Sequence, residues 1–157
     1  MKTNILLLVL SVILVNTTGC KKEEGSEVKV YIDKPFELSI LDKAFFEDTA
    51  PVNGKSNRLK VYFDKIEDNR VFGSACSNIW GGSFAHIHSC IQLNSDTLVG
   101  LNQFFAGCLN FDEEYKEISA PKIDIGGYRL LLLKLSPWDK SEKNEKNYRV
   151  KYVIKRK

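Results

Sequence analysis

The chain has little of almost everything that announces a function. It carries two histidines, one methionine and four cysteines in 157 residues. Its longest apolar run, residues 5–15, is interrupted only by Ser11. That is well short of the roughly 20 residues a membrane-spanning helix needs. Neither charge dominates, with 23 Lys and Arg against 20 Asp and Glu. A dedicated nucleic-acid binder concentrates a basic excess on one face, so that class is set aside. No serine sits in a Gly-x-Ser-x-Gly elbow, no glycine-rich phosphate loop occurs, and there is no internal repeat or heptad. Paired glycosidase carboxylates need a deep cleft, for which a chain this short leaves little room. Catalysis is therefore not expected.

What is present begins at the N-terminus. Lys2, the apolar run and Thr17-Thr18-Gly19-Cys20 fit the three regions of a secretory signal peptide. Gly19-Cys20 resembles the lipobox of bacterial lipoproteins, with Thr17 where the commonest form has Leu. The resemblance implies that residues 1–19 are removed and that Cys20 is lipidated, palmitate included, as the first mature residue. It places the protein on the outer membrane, held by lipid. Residues 20–27, with Lys21-Lys22-Glu23-Glu24-Gly25-Ser26, read as a polar, flexible tether. Lys-Glu-Glu after the lipid cysteine resembles the short charged signal of lipoproteins sent to the outer leaflet, which implies cell-surface exposure. Residues 28–157 suffice for one domain with a real core, expected to be monomeric.

Within that domain, short β-type segments dominate. Val28, Val30 and Ile32 alternate with polar neighbours, as do Phe36, Leu38 and Ile40 after Pro35. Residues 42–57 read as a long irregular passage with Ala50-Pro51 and the turn signal Asn53-Gly54. Leu59, Val61 and Phe63 form one side of a third strand, and residues 66–72 are expected to pair with it across a tight connection. Residues 84–93 read as a strand. Residues 98–111 are ambiguous: Leu98, Leu101, Phe105 and Leu109 fit helical spacing, but Gly100 and Gly107 would each cost about 1 kcal/mol in a helix. Residues 118–125 are broken by Pro121, and 128–135 read as a strand buried on both faces. Residues 138–147 read as a charged loop. Tyr148, Val150, Tyr152 and Ile154 alternate with Arg149, Lys151 and Lys155, the pattern of an edge strand with a wet basic face. That basic face could alternatively meet an acidic partner or lipid head groups. The expected fold is all-β, a small barrel or sandwich of short, mostly antiparallel strands with long loops.

With Cys20 assigned to lipid, Cys76, Cys90 and Cys108 allow one disulfide in any of three pairings. His86, His88 and Cys90 are the sharpest chemical signal. Residues two apart on a strand share a face, and imidazole with thiolate suits zinc or copper. They are candidate metal ligands, although no cofactor is required by anything else in the chain. The competing reading makes Cys90 a disulfide half and leaves two solvent-facing histidines.

Glu67-Asp68-Asn69-Arg70, Cys76 and Trp80-Gly81-Gly82 resemble a motif of small β-rich exported lipoproteins that runs Asp-Ser-Arg-Cys-Pro, a loop, Cys, Trp and Gly. Val71 and Phe72 replace that motif's first cysteine and proline, and the Cys76 to Trp80 spacing differs by one residue. The motif's local disulfide therefore has no counterpart here. The resemblance implies a structural role: an acid and an arginine at a turn, then Trp80 plugging the core. In size, anchor and strand pattern the chain is also similar to the potempins, lipoproteins that inhibit proteases secreted by the same cell. That likeness implies a non-enzymatic binding module acting on a secreted protease or another surface protein, without nucleic acid. Ala50, Pro51 and Val52, in the 42–57 passage, are the candidate inhibitory loop, and the connection 95–127 is also long enough to serve. Metal binding through His86, His88 and Cys90, or a place as accessory subunit of an outer-membrane complex, are the alternatives.

Overall fold

The computed structural model describes residues 25–49, 56–71, 83–95, 99–107, 114–137 and 144–157. These form β1 (Glu27–Lys29), β2 (Phe36–Ser39), β3 (Lys43–Asp48), β4 (Asn57–Asp68), β5 (Phe84–Leu93), β6 (Val99–Ala106), β7 (Lys122–Ile125), β8 (Tyr128–Ser136) and β9 (Arg149–Arg156). One sheet has the order β1-β3-β4-β5-β6 and the other β2-β9-β8-β7. Every pairing is antiparallel except that of β1 with β3. The sheets do not close on each other, so the fold is a two-layer sandwich and not a barrel.

Alternation explains which side chains fill the space between the layers. Leu59, Val61 and Phe63 of β4, Ala85, Ile87 and Ile91 of β5, Leu130, Leu132 and Leu135 of β8, and Val150, Tyr152 and Ile154 of β9 are fully buried there. Tyr148, just before β9, and Val150, Tyr152 and Ile154 within it face inward as expected. Strand β8 is buried on its other side as well. Leu131 and Leu133 join Val153, Ala120 and Tyr115 in a second cluster, because residues 114–121 run across the outside of this sheet. That segment is fastened by Tyr115 N to Leu133 O (2.8 Å) and Leu132 N to Pro121 O (2.9 Å).

Ser89 and Tyr152 meet at the middle of the core, their hydroxyl oxygens 2.6 Å apart. Burial pushes the Tyr152 phenol up, partly offset by this hydrogen bond, so it stays protonated. Beside this bond each sheet carries a β-bulge. The register of β4 on β5 shifts between Phe63 and Lys65, next to the Phe63–Ser89 pair. That of β8 on β9 shifts between Leu132 and Lys134, next to the Leu132–Tyr152 pair. A bulge adds one unpaired residue and bends the strand.

Three expectations are corrected and one ambiguity is resolved. Residues 42–57 are not irregular throughout, because β3 occupies Lys43–Asp48 with Ala44 and Phe46 inward. Phe45, on the outer face, disguised that alternation. Residues 59–63 and 66–68 are one strand, not two joined by a turn; the bulge at Asp64 moves the inward set from odd to even numbers. The ambiguous passage 98–111 contains β6. Strand β9 is interior, between β2 and β8, so its basic residues do not guard an edge. They project from the outer face, where Lys151 meets Glu114 (2.8 Å) and Lys155 meets Asp33 and Glu117 (3.0 Å each).

Of residues 20–27, read from sequence as a tether, 25–27 are described. Strand β1 opens at Glu27, and the chain is already docked at Gly25 and Ser26.

Candidate functional site

The sandwich has two poles. At the first, the stem pole, lie the ends of β4 and β8 and the start of β9; the turn 40–42 between β2 and β3 bonds to Phe63, midway along β4, and Gly25 and Ser26 pack on that turn. At the second, the loop pole, lie the β1–β2 turn, the ends of β3 and β9, and the hairpin turn Gly126-Gly127. The 49–56 connection leaves β3 and returns to β4 there.

The base of that connection is the most organised polar site in the described chain. Asp48 and Asn57 are paired across β3 and β4, the last rung before the connection departs. Tyr128, from the opposite sheet, donates its hydroxyl proton to Asp48 Oδ2 (2.8 Å) and accepts from Asn57 Nδ2 (3.4 Å). Arg156 Nη2 holds Asp48 Oδ1 at 2.7 Å. Asn94 extends the network: its Nδ2 donates to Asn57 Oδ1 (3.1 Å), and its Oδ1 accepts from Arg58 N (2.8 Å). Asn94 sits at φ 57°, the left-handed region that asparagine tolerates better than most residues. Burial, then the Asp48 hydrogen bond, push the Tyr128 phenol up and keep it a donor. Beside the network opens a cleft of about 270 Å³, lined by Lys29, Tyr31, Phe46, Asp48, Thr49 and Arg156 among others.

The stem pole has a counterpart. Arg70 forks onto Asp68, with Nε to Oδ1 at 3.0 Å and Nη2 to Oδ2 at 2.9 Å. It then crosses to the other sheet, donating to Leu135 O (3.1 Å) and Pro137 O (2.9 Å). Tyr148 donates to Asp68 Oδ2 at 2.9 Å. Burial alone would raise the Asp68 carboxyl, but Arg70 and then Tyr148 outweigh it and hold it below the usual carboxylate range. Burial and this carboxylate together push Tyr148 up. The acid and arginine singled out by the motif resemblance are thus both buried, and they bind the sheets together.

His86, His88 and Cys90 share the outer face of β5, opposite Glu67, Lys65 and Tyr62 of β4. His88 Nε2 is sealed from solvent 3.5 Å from Glu67 Oε1, without a hydrogen bond. The Cys90 sulfur is in a disulfide whose partner lies outside the described residues. It is therefore not a thiolate, and the candidate ligand set keeps only its two imidazoles. Among the described residues no group of three metal-ligating side chains forms. Cys20, Ala50, Pro51, Val52, Cys76, Trp80 and Cys108 also lie outside the described residues.

The network at the loop pole was not anticipated from sequence. Its members come from five separate segments, and Asp48 stands 80 positions before Tyr128. The only local signal was β3 itself, whose end would have fixed Asp48 as the last residue before a hairpin connection. No protein-family model matches the chain, nor does any curated protein or any solved structure.

Proposed function

We propose that this protein is a lipid-anchored extracytoplasmic binding module on the outer membrane that inhibits a secreted protease, with the connection 49–56 as its contact segment. The observation that carries this reading is the clamp on both ends of that connection. Asp48 and Asn57 share one phenol from the opposite sheet, so the ends of the segment have little freedom left. Within it, Pro51 fixes its own φ and restricts Ala50. A segment whose ends are set before encounter loses less conformational entropy when it enters an active-site cleft. Tyr31, 62% exposed, and the neighbouring cleft flank the same pole and widen the surface a partner could cover.

Soluble protein starting at Lys21 provides the test. Assayed against secreted serine, cysteine and metalloproteases, it is expected to inhibit one class at micromolar concentration or below. Replacing Ala50-Pro51-Val52 by Gly-Ser-Gly should weaken inhibition by about tenfold or more, or about 1.4 kcal/mol, with the fold intact by circular dichroism. Tyr128→Phe should weaken it to a lesser extent, by loosening the clamp. No inhibition of any of the three classes would remove the reading.

A further inference from the structure

On the outside of the β2-β9-β8-β7 sheet, the segment 114–121 is held at nearly every residue and leaves one side chain untouched. Glu114 Oε2 meets Lys151 Nζ at 2.8 Å, and Glu117 Oε1 meets Lys155 Nζ at 3.0 Å. Tyr115 donates its backbone N–H to Leu133 O (2.8 Å). Its hydroxyl donates to Ala106 O (2.8 Å) and accepts from Ala106 N (3.1 Å) on β6 of the other sheet. The Lys116 carbonyl closes a compact turn by accepting from Ser119 N (2.9 Å), Ser119 Oγ (3.1 Å) and Ala120 N (3.0 Å). Pro121 O then accepts from Leu132 N. Ile118, inside this turn, is 95% exposed.

The order of residues in the turn runs against burial preference. Ala120 packs with Leu131, Leu133 and Val153, while the larger Ile118 is left in solvent. A single exposed aliphatic side chain is ordinary on a loose loop. Here the bonds on both sides of Ile118 fix its backbone, so the side chain is presented from a rigid base. Lys155 also reaches Asp33, and so ties this turn to the β1–β2 turn, where Tyr31 is 62% exposed. Lys155 directly precedes Arg156, the arginine of the loop-pole network, so both turns stand at that end of β9. Lys155 neutralises Glu117, whereas the exposed Lys116 has no carboxylate partner among the described residues. The tip therefore carries one apolar side chain and one spare positive charge.

We infer that Ile118 is a fixed apolar knob that seats in a pocket on the inhibited protease, outside its active-site cleft, with an acidic group on the pocket rim facing Lys116. This rests on the reading that the protein inhibits a secreted protease. The 116–120 turn is coiled back on itself, so it fits a shallow pocket and not a cleft that holds a stretched peptide. The 49–56 connection and Ile118 then engage different parts of one partner. A base that is ordered before encounter costs little entropy, and burying a whole isoleucine side chain is worth about tenfold to a hundredfold in affinity. An anionic bilayer fits less well, because the carboxylates of Glu114, Glu117 and Asp33 stand around the tip.

Soluble protein starting at Lys21 is tested on the protease it inhibits, with the active site free and with it blocked by a small covalent inhibitor. Ile118→Asp is expected to weaken inhibition by about tenfold or more, and Ile118→Val by less than about fivefold. Lys116→Glu should slow association at low salt. Binding of the wild type to the blocked protease should persist, and should be lost in Ile118→Asp. The urea midpoint of Ile118→Asp should match the wild type, because the side chain is almost wholly in solvent. Equal inhibition by wild type and Ile118→Asp overturns the knob and leaves the inhibitor reading standing. Inhibition of no protease overturns both. Binding to phosphatidylglycerol vesicles, or self-association, that Ile118→Asp abolishes would also overturn the inference, by giving the tip to lipid or to a second copy.

Discussion

The two poles solve one problem with the same three groups and different access to water. Each joins the sheets through a carboxylate, a tyrosine hydroxyl and an arginine. At the stem pole the Arg70 and Asp68 side chains are 0% and 3% exposed, and the guanidinium also satisfies two backbone carbonyls across the gap. At the loop pole the carboxylate of Asp48 is buried at 5%, but Arg156 is 46% exposed and reaches it from the rim. A buried charge must keep its partner, whereas a half-exposed one has water as a substitute. The stem pole thus depends on its arginine, whereas the loop pole holds its carboxylate chiefly through Tyr128.

Breaking the arginines separately gives the largest expected contrast. Arg70→Ala takes the buried guanidinium away from the Asp68 carboxylate, which keeps only neutral donors such as Tyr148, and from two carbonyls across the gap, and is expected to cost about 3–5 kcal/mol. Arg156→Ala should stay within about 1 kcal/mol, because Tyr128 still donates to Asp48 and solvent covers the rest. Urea unfolding of both variants measures the difference, and equal losses would end the distinction between the poles.

A smaller effect should appear in acid. The Asp68 carboxyl at the stem pole and the Asp42 carboxyl in the turn beside Phe63 lie below their ordinary value of 3.8 in the folded state. Their contribution is complete above that value and is lost as the pH falls through the lower folded one. Protection factors of the amides around Asp68 and Asp42, taken relative to intrinsic exchange at each pH, are therefore expected to fall as the pH drops below about 4. Asp68→Asn should flatten the pH dependence of stability there.

The smallest effect expected is a gain. Gln103 is buried on the inner side of β6, opposite Ile87, and among the described residues neither its amide oxygen nor its nitrogen has a partner. It belongs to neither clamp. Gln103→Leu removes that desolvation and should stabilise by about 1 kcal/mol, which for a domain of this size is a melting-temperature rise of roughly 2–4 °C.

How much of this was legible in the sequence depended on how far apart the cooperating residues lie. Strand β5 was read with its observed bounds, and the two-sided burial of β8 followed from its unbroken apolar run. Both are local patterns. Strand β3 was missed because Phe45 on the outer face and Asp48 on the inner one violate simple alternation. Asp48 is inward because of partners 80 and 108 positions away. Asp68 and Arg70 were noticed through a motif, yet the groups that use them, Leu135, Pro137 and Tyr148, are joined to them only by the fold. The candidate ligands His86 and His88 share a face as the period of two requires, while the bonding of Cys90 was left open among three pairings.

The paired bulges at the waist bear on which length changes the sandwich can absorb. Elsewhere in β4 or β8, losing one residue would swap inside for outside over the remainder of the strand. Asp64 and Leu133 are the exceptions, since each is already surplus to its ladder. Without either one, plain alternation returns and every remaining side chain keeps its side. Homologous chains one residue shorter are expected to carry their gaps at these two sites, flanking the hydroxyl pair that joins the layers.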